Sequence, residues 1–92
     1  MIEKLSSESI ASKLTTLNGW ELKDEKIFKK FQFTDFAEAF SFMTRVAIVA
    51  DKADHHPEWF NVYNRVEIYL TTHDANGISE RDFSLASKID AM

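Results

Sequence analysis

DFAEAFSFMTRVAIVADKADHHP, residues 35 to 57, is the stretch that decides how this chain folds. Asp35 followed three residues later by Glu38 is a capping-box signature, and Phe36, Ala39, Phe40, Met43, Ala47 and Ala50 then recur on one helical face. The spacing predicts a long helix ending near Ala53, because Pro57 cannot continue it and pushes the residue before it into extended geometry. A second stripe, Phe42, Val46, Val49 and Ala53, makes the apolar arc wider than one small sheet covers. Neighbouring elements wrapped around the helix would explain this. A subunit interface explains it better, since so small a domain has few elements to spare.

Upstream, Ser6 reads as the N-cap of a first helix running from about Ser7 to Leu17, with Ile10, Leu14 and Leu17 at helical spacing and Gly19 as its stop. The period changes between Trp20 and Thr34, where Trp20 and Leu22 alternate with polar neighbours, Asp24 to Lys26 reads as a turn, and Phe31 and Phe33 flank Gln32. That is a hairpin. Downstream of Pro57, Phe60, Val62, Val66, Ile68 and Leu70 alternate with polar or amphipathic residues, which predicts two strands with a turn near Asn64 and Arg65. Thr72 to Gly77 is a loop. Ser79 then opens a third helix, with Asp82 at the capping-box position, Ile78 and Phe83 spaced as a hydrophobic staple, and Leu85, Ala86 and Ile89 on its apolar face. The order is α-β-β-α-β-β-α, an α+β domain of two layers in which helices pack on an antiparallel-rich, four-stranded sheet.

Composition bounds the possibilities. At 92 residues, with 45% hydrophobic and 28% charged residues, the chain suits a single domain spanning 1–92 and one core. Two glycines and one proline leave no linker, and there is no repeat or low-complexity tract. Without cysteine there is neither a disulfide framework nor a thiol nucleophile. No apolar run reaches signal-peptide or membrane-span length, so the cytoplasm is the expected compartment, with the nucleus as the alternative. Eleven basic residues against fifteen acidic ones, with Lys29 and Lys30 the only adjacent lysines, argue against a nucleic-acid or membrane partner.

Candidate chemistry rests on three histidines, the side chains whose unperturbed titration lies near neutral pH. His55 and His56 follow the second helix and His73 follows the last strand, and functional groups concentrate at such element ends. Adjacent residues in extended geometry point apart, so His55 and His56 have different jobs. Solvated surface side chains and an acid/base site are both open readings of the residues alone. A zinc site drawing on Asp54, Asp74 or Asp82 is a rival, but adjacent imidazoles chelate one ion poorly. Asp82 reads as a helix cap that also lies close to His73, and Trp59 as core or as the wall of a ring-binding pocket.

Asp54-His55-His56-Pro57-Glu58-Trp59 resembles the signature of the pterin-4a-carbinolamine dehydratases, also known as dimerisation cofactors of a liver homeodomain transcription factor. The resemblance extends through Ile27-Phe28-Lys29, Phe42 to Ala47, Asn61 to Asn64, Leu70 to His73 and Ser79 to Asp82, covering about Leu5 to Ile89. It implies dehydration of 4a-hydroxytetrahydrobiopterin to the quinonoid dihydropterin, serving tetrahydrobiopterin recycling beside the aromatic amino acid hydroxylases, with no cofactor and no metal.

The resemblance also places the catalytic residues at His55, His56 and His73, and the pterin contacts at Asp54, His55, His56, Thr71, Thr72, His73 and Asp74. Asp82 and Asp51 are supporting positions; Asp51 stands where many members have glutamate, which weakens its claim, and Ala75 replaces a cysteine of some members. Loss of hydroxide from C4a needs an acid at the leaving oxygen and a base for the N5 proton, with His55 and His73 as that pair, His56 positioning, and Trp59 as an apolar wall. The expected assembly is a homo-oligomer, dimer or tetramer, through the second helix. The alternative function is a non-enzymatic interaction module that binds a transcription factor's dimerisation helix through Phe42, Val46 and Val49.

Overall fold

The computed structural model describes residues 2–92; Met1, within the single domain expected over 1–92, lies outside them. Three α-helices and four β-strands follow in the expected order: α1 (Ser7–Leu14), β1 (Glu21–Lys23), β2 (Lys26–Gln32), α2 (Phe36–Lys52), β3 (Glu58–Val62), β4 (Arg65–Leu70) and α3 (Glu80–Asp90), with a 3-10 turn at His73–Ala75. The strands form one antiparallel sheet in the order β1-β2-β4-β3, which makes β4 central beside β2 and leaves β1 and β3 at the edges.

Capping residues set the helix starts. Ser6 accepts from the Ser9 amide at 3.1 Å and Asp35 from the Glu38 amide at 2.9 Å, each satisfying a donor that the first turn leaves unpaired. The reciprocal half of the Asp35 box is shifted, because the Glu38 carboxylate takes the Thr34 amide instead of that of Asp35. Ser79 and Asp82 make a complete capping box. Helix α1 stops at Leu14, earlier than its apolar spacing predicts: the hydroxyls of Thr15 and Thr16 bond to the carbonyls of Ser12 and Lys13, and the chain tightens into i to i−3 turns before Gly19 reverses it at φ +86°. Leu17 still packs against the core from this turn.

Strand β4 shows the cleanest alternation, with Val66, Ile68 and Leu70 fully buried and Arg65, Glu67 and Tyr69 half-buried. Its partners on the helix side are Ile27, Lys29 and Phe31 of β2, and Trp59 of β3. A fully buried isoleucine such as Ile68 stabilises by about 1.5 to 3 kcal/mol relative to an exposed one. The β3–β4 turn falls on Tyr63 and Asn64, one residue before the expected place. The Asn61 amide holds it by donating to the carbonyls of Tyr63 and Arg65 at 3.2 and 2.8 Å. Behind the sheet, Phe28 and Tyr69 stack at 4.7 Å, while Phe60 and Val62 stay exposed.

One expectation is corrected. Phe42 and Val46, read as an outward stripe of α2, are buried against the sheet with Ala39 and Ala50, and Phe42 meets the rings of Phe31 and Phe33 at 4.8 and 4.9 Å. Phe36 and Phe40, read as the core face, are exposed, Phe40 to 55%. Helical periodicity locates an apolar arc but not which half of it meets the sheet. Two phenylalanines on β2 and just beyond it selected the Phe42 side.

Candidate active site

Helix α2 ends in a Schellman motif. Ala53 is the C-cap, Asp54 takes the left-handed position at φ 51°, its amide bonds to the Asp51 carbonyl, and the His55 amide bonds to the Ala50 carbonyl at 3.1 Å. Asp54, expected to contact substrate, therefore shapes the helix exit, and its side chain is exposed. The motif turns the chain so that His55 enters the protein while His56 faces out, and Pro57 then starts the extended run into β3. Because Glu58 pairs with Tyr69 in antiparallel register, the residues before β3 and those after β4 meet at the same end of the sheet. This brings the two histidine segments together.

His55 Nε2 lies 2.6 Å from Asp82 Oδ1, and the carboxylate is fully buried. Its other oxygen accepts from the Thr72 hydroxyl at 2.8 Å and from the Ser79 amide at 3.0 Å, and the Thr72 and Ser79 hydroxyls are 2.6 Å apart. A buried carboxylate with three donors, in the first turn of α3, is compensated by hydrogen bonds and by the helix N-terminus. Thr72, expected to contact substrate, is buried with its hydroxyl engaged, and its backbone N–H donates to the Gly77 carbonyl while its carbonyl accepts from the Ala75 and Gly77 amides.

The other two histidines have carboxylates of their own. His56 is exposed, with Nε2 3.3 Å from Asp51 Oδ1, beside a hollow of about 460 Å³ walled by Ala47, Ile48, Ala50, Pro57 and Trp59. Trp59 packs against the core and also lines this hollow. His73, 83% exposed in the 3-10 turn, places Nε2 3.2 Å from Glu58 Oε2 and lines a larger cleft of about 830 Å³ with Thr71, Leu22, Lys26, Leu5 and Ile78. Asp74 is exposed beside it. The sheet end thus carries all three histidines, but within one chain His73 lines the cleft, His56 the hollow, and the His55 ring lies inside against Asp82.

Glu58 is the residue that sequence reasoning passed over. Lys26 Nζ meets its Oε1 at 2.5 Å, so one carboxylate links the start of β2 to His73. The hydrogen bond from Lys26 holds the Glu58 carboxyl below the ordinary glutamate value; partial desolvation opposes this, and the charges of Lys26 and His73 assist it. Its place inside Asp54-to-Trp59 was the only available signal. Ser79 was read as a cap alone. Among the described residues no group of three or more histidine, aspartate or glutamate side chains converges to hold a metal ion.

A family model described as pterin 4 alpha carbinolamine dehydratase matches residues 3–92. A protein of Paraburkholderia xenovorans (strain LB400), provisionally named a pterin-4-alpha-carbinolamine dehydratase, is 55% identical over 94 residues, covering 100% of this chain and 98% of its own. Another of that provisional name, from Sinorhizobium fredii, is 56% identical over 90 residues, covering 96% of this chain and 86% of its own. Among solved structures, a transcriptional coactivator/pterin dehydratase from Brucella melitensis superposes with a TM-score of 0.93 at 45% identity, covering 97% of each chain. A pterin dehydratase-like RuBisCO assembly factor of the alpha-carboxysome, at TM-score 0.68 and 22% identity over 80% of this chain and 88% of its own, shares the fold.

Proposed function

This chain belongs to the pterin 4 alpha carbinolamine dehydratase family, and on that premise we propose that it dehydrates 4a-hydroxytetrahydrobiopterin to the quinonoid dihydropterin by histidine acid/base catalysis. The activity is that of a carbon-oxygen hydro-lyase, and one domain across the chain carries it. In the reaction a base takes the N5 proton, the C4a–N5 bond becomes double, and the C4a hydroxyl leaves with a proton from the acid as water. His55 and His73 form the acid/base pair and His56 positions the ring. Asp54, Thr71 and Asp74 supply polar contacts, Thr72 acts from behind through Asp82, Trp59 is an apolar wall, and Asp51 and Asp82 support the histidines. No metal or cofactor enters the scheme. The product feeds tetrahydrobiopterin recycling for an aromatic amino acid hydroxylase in the cytoplasm.

The observation that best supports this reading is the buried His55–Asp82 pair at the sheet end where the second histidine segment also arrives. A carboxylate sunk below the surface is costly, and one that orients an imidazole has a chemical use for that cost. The test is the rate of carbinolamine dehydration after subtracting the spontaneous reaction. A rate above buffer that survives a chelator is the expected result; a rate equal to buffer refutes the activity.

A second reading coexists with the first. The Brucella relative's description joins coactivator to dehydratase, and α2 of this chain exposes Phe36, Phe40 and Ile48. These side chains suit a homo-oligomeric contact, dimer or tetramer, or a partner helix such as that of a transcription factor.

A further inference from the structure

The polar cluster behind His55 has a direction that donor and acceptor counting settles. The Thr72 hydroxyl donates its single proton to the Asp82 carboxylate at Oδ2, 2.8 Å away. Toward Ser79, 2.6 Å away, Thr72 must then accept, and the Ser79 hydroxyl must donate. Ser79 Oγ in turn accepts from the Arg81 amide at 3.2 Å. At the far end, Asp82 Oδ1 faces His55 Nε2 at 2.6 Å and requires a proton there. Ser79, Thr72 and Asp82 are all buried, which denies water a place as a substitute partner and makes the chain one-way.

We propose that Ser79 is a positioning residue: through Thr72 and Asp82 its hydroxyl holds the His55 proton on Nε2 and leaves Nδ1 as the nitrogen that exchanges a proton with substrate. Helix capping alone does not require this residue type. An N-cap needs an acceptor, which aspartate supplies as well as serine. Only a hydroxyl both accepts from the Arg81 amide and donates to Thr72. A pure acceptor at residue 79, such as aspartate, would instead draw the Thr72 proton to itself, and Asp82 Oδ2 would keep only the residue-79 amide. The carboxylate can then rotate and release the His55 ring to the other tautomer.

The catalytic consequence rests on the proposed dehydratase function; the tautomer does not. Nitrogen-15 histidine correlation spectra of the full chain test the tautomer at a pH where His55 is neutral. Wild type is expected to show the Nε2–H form alone, and a neutral Nδ1–H ring in wild type overturns the proposal whatever the variants do. Ser79→Asp, which still caps but cannot donate, and the near-isosteric Thr72→Val are expected to mix the two tautomers and lower kcat about ten-fold with KM little changed, while Thr72→Ser restores both readouts. If folded Thr72→Val melts earlier yet keeps the pure Nε2–H form and wild-type kcat, the cluster is structural only and the proposal fails. A wild type with the Nε2–H form but no dehydration overturns the dehydratase function and leaves the tautomer assignment standing.

Discussion

Asp82 in the first turn of α3 holds His55 at the exit of α2 through a 2.6 Å contact between residues 27 positions apart. Asp82→Asn preserves the shape and still lets one side-chain oxygen accept from Thr72 and the Ser79 amide, but it turns an NH₂ group toward Nε2. We expect a folded protein with turnover lowered by about 10²-fold to 10⁴-fold. Asp82→Ala strands three buried donors and is expected to cost about 3 kcal/mol or more of stability in urea titration. Wild-type turnover in folded Asp82→Asn would remove the pair from the mechanism.

Proton-transfer groups acting in one transition state do not contribute independently. Replacing His55 or His73 by alanine should lower turnover by about 10²-fold to 10⁴-fold, while His56→Ala should act mainly on substrate affinity. The double variant should lose much less than the product of the single losses. Folding of each variant is checked by circular dichroism. Multiplicative losses would show that the two histidines act separately.

The Glu58 carboxyl is held below its ordinary value near 4.5, so its contribution to stability is fully present above that pH and is lost as pH falls through the lowered folded value. Glu58→Gln should therefore be less stable than wild type at neutral pH and approach it in strong acid. With the side chain 40% exposed the difference should stay under about 1 kcal/mol. A difference constant across the acid range would contradict the cause assigned to the shift.

The two-residue turn of the first hairpin places Asp24 and Glu25 at φ 52° and 62°, where glycine or asparagine is preferred. Glu25→Gly should raise stability by about 0.5 to 1 kcal/mol, the relief of left-handed strain less the added freedom of the unfolded chain. The measurement is the urea midpoint at unchanged slope. A lower midpoint would mean that Glu25 makes a compensating contact.

Light scattering should give a multiple of the 10.6 kDa chain mass at micromolar concentration. The residues to test are those that α2 exposes: Phe40→Asp and Ile48→Asp should shift the assembly toward monomer, whereas Phe42 acts within the subunit. A stable wild-type monomer would leave Phe36 and Phe40 without a self-partner.

Signals confined to a few neighbouring residues were readable without coordinates. Ser6, Asp35 and Ser79 cap because a short side-chain oxygen reaches an amide two or three residues on, and Val66, Ile68 and Leu70 reveal a half-buried strand because its period is two. Pro57 forced the break after α2. Helix α1 ends before its apolar spacing does because two threonine hydroxyls compete for its last carbonyls, a choice that apolar spacing does not register.

The sequence by itself determined the element order, the α+β class, the family likeness and the segments bearing the three histidines. Tertiary structure alone decided which half of the α2 arc is buried, that Glu58 links Lys26 to His73, and that Thr72 serves Asp82 with its hydroxyl. The reason is range. Caps and periodicities are relations between residues within about one helical turn, whereas these pairings join distant segments whose meeting depends on strand register, on a left-handed Asp54, and on the packing of Phe42 against Phe31 and Phe33.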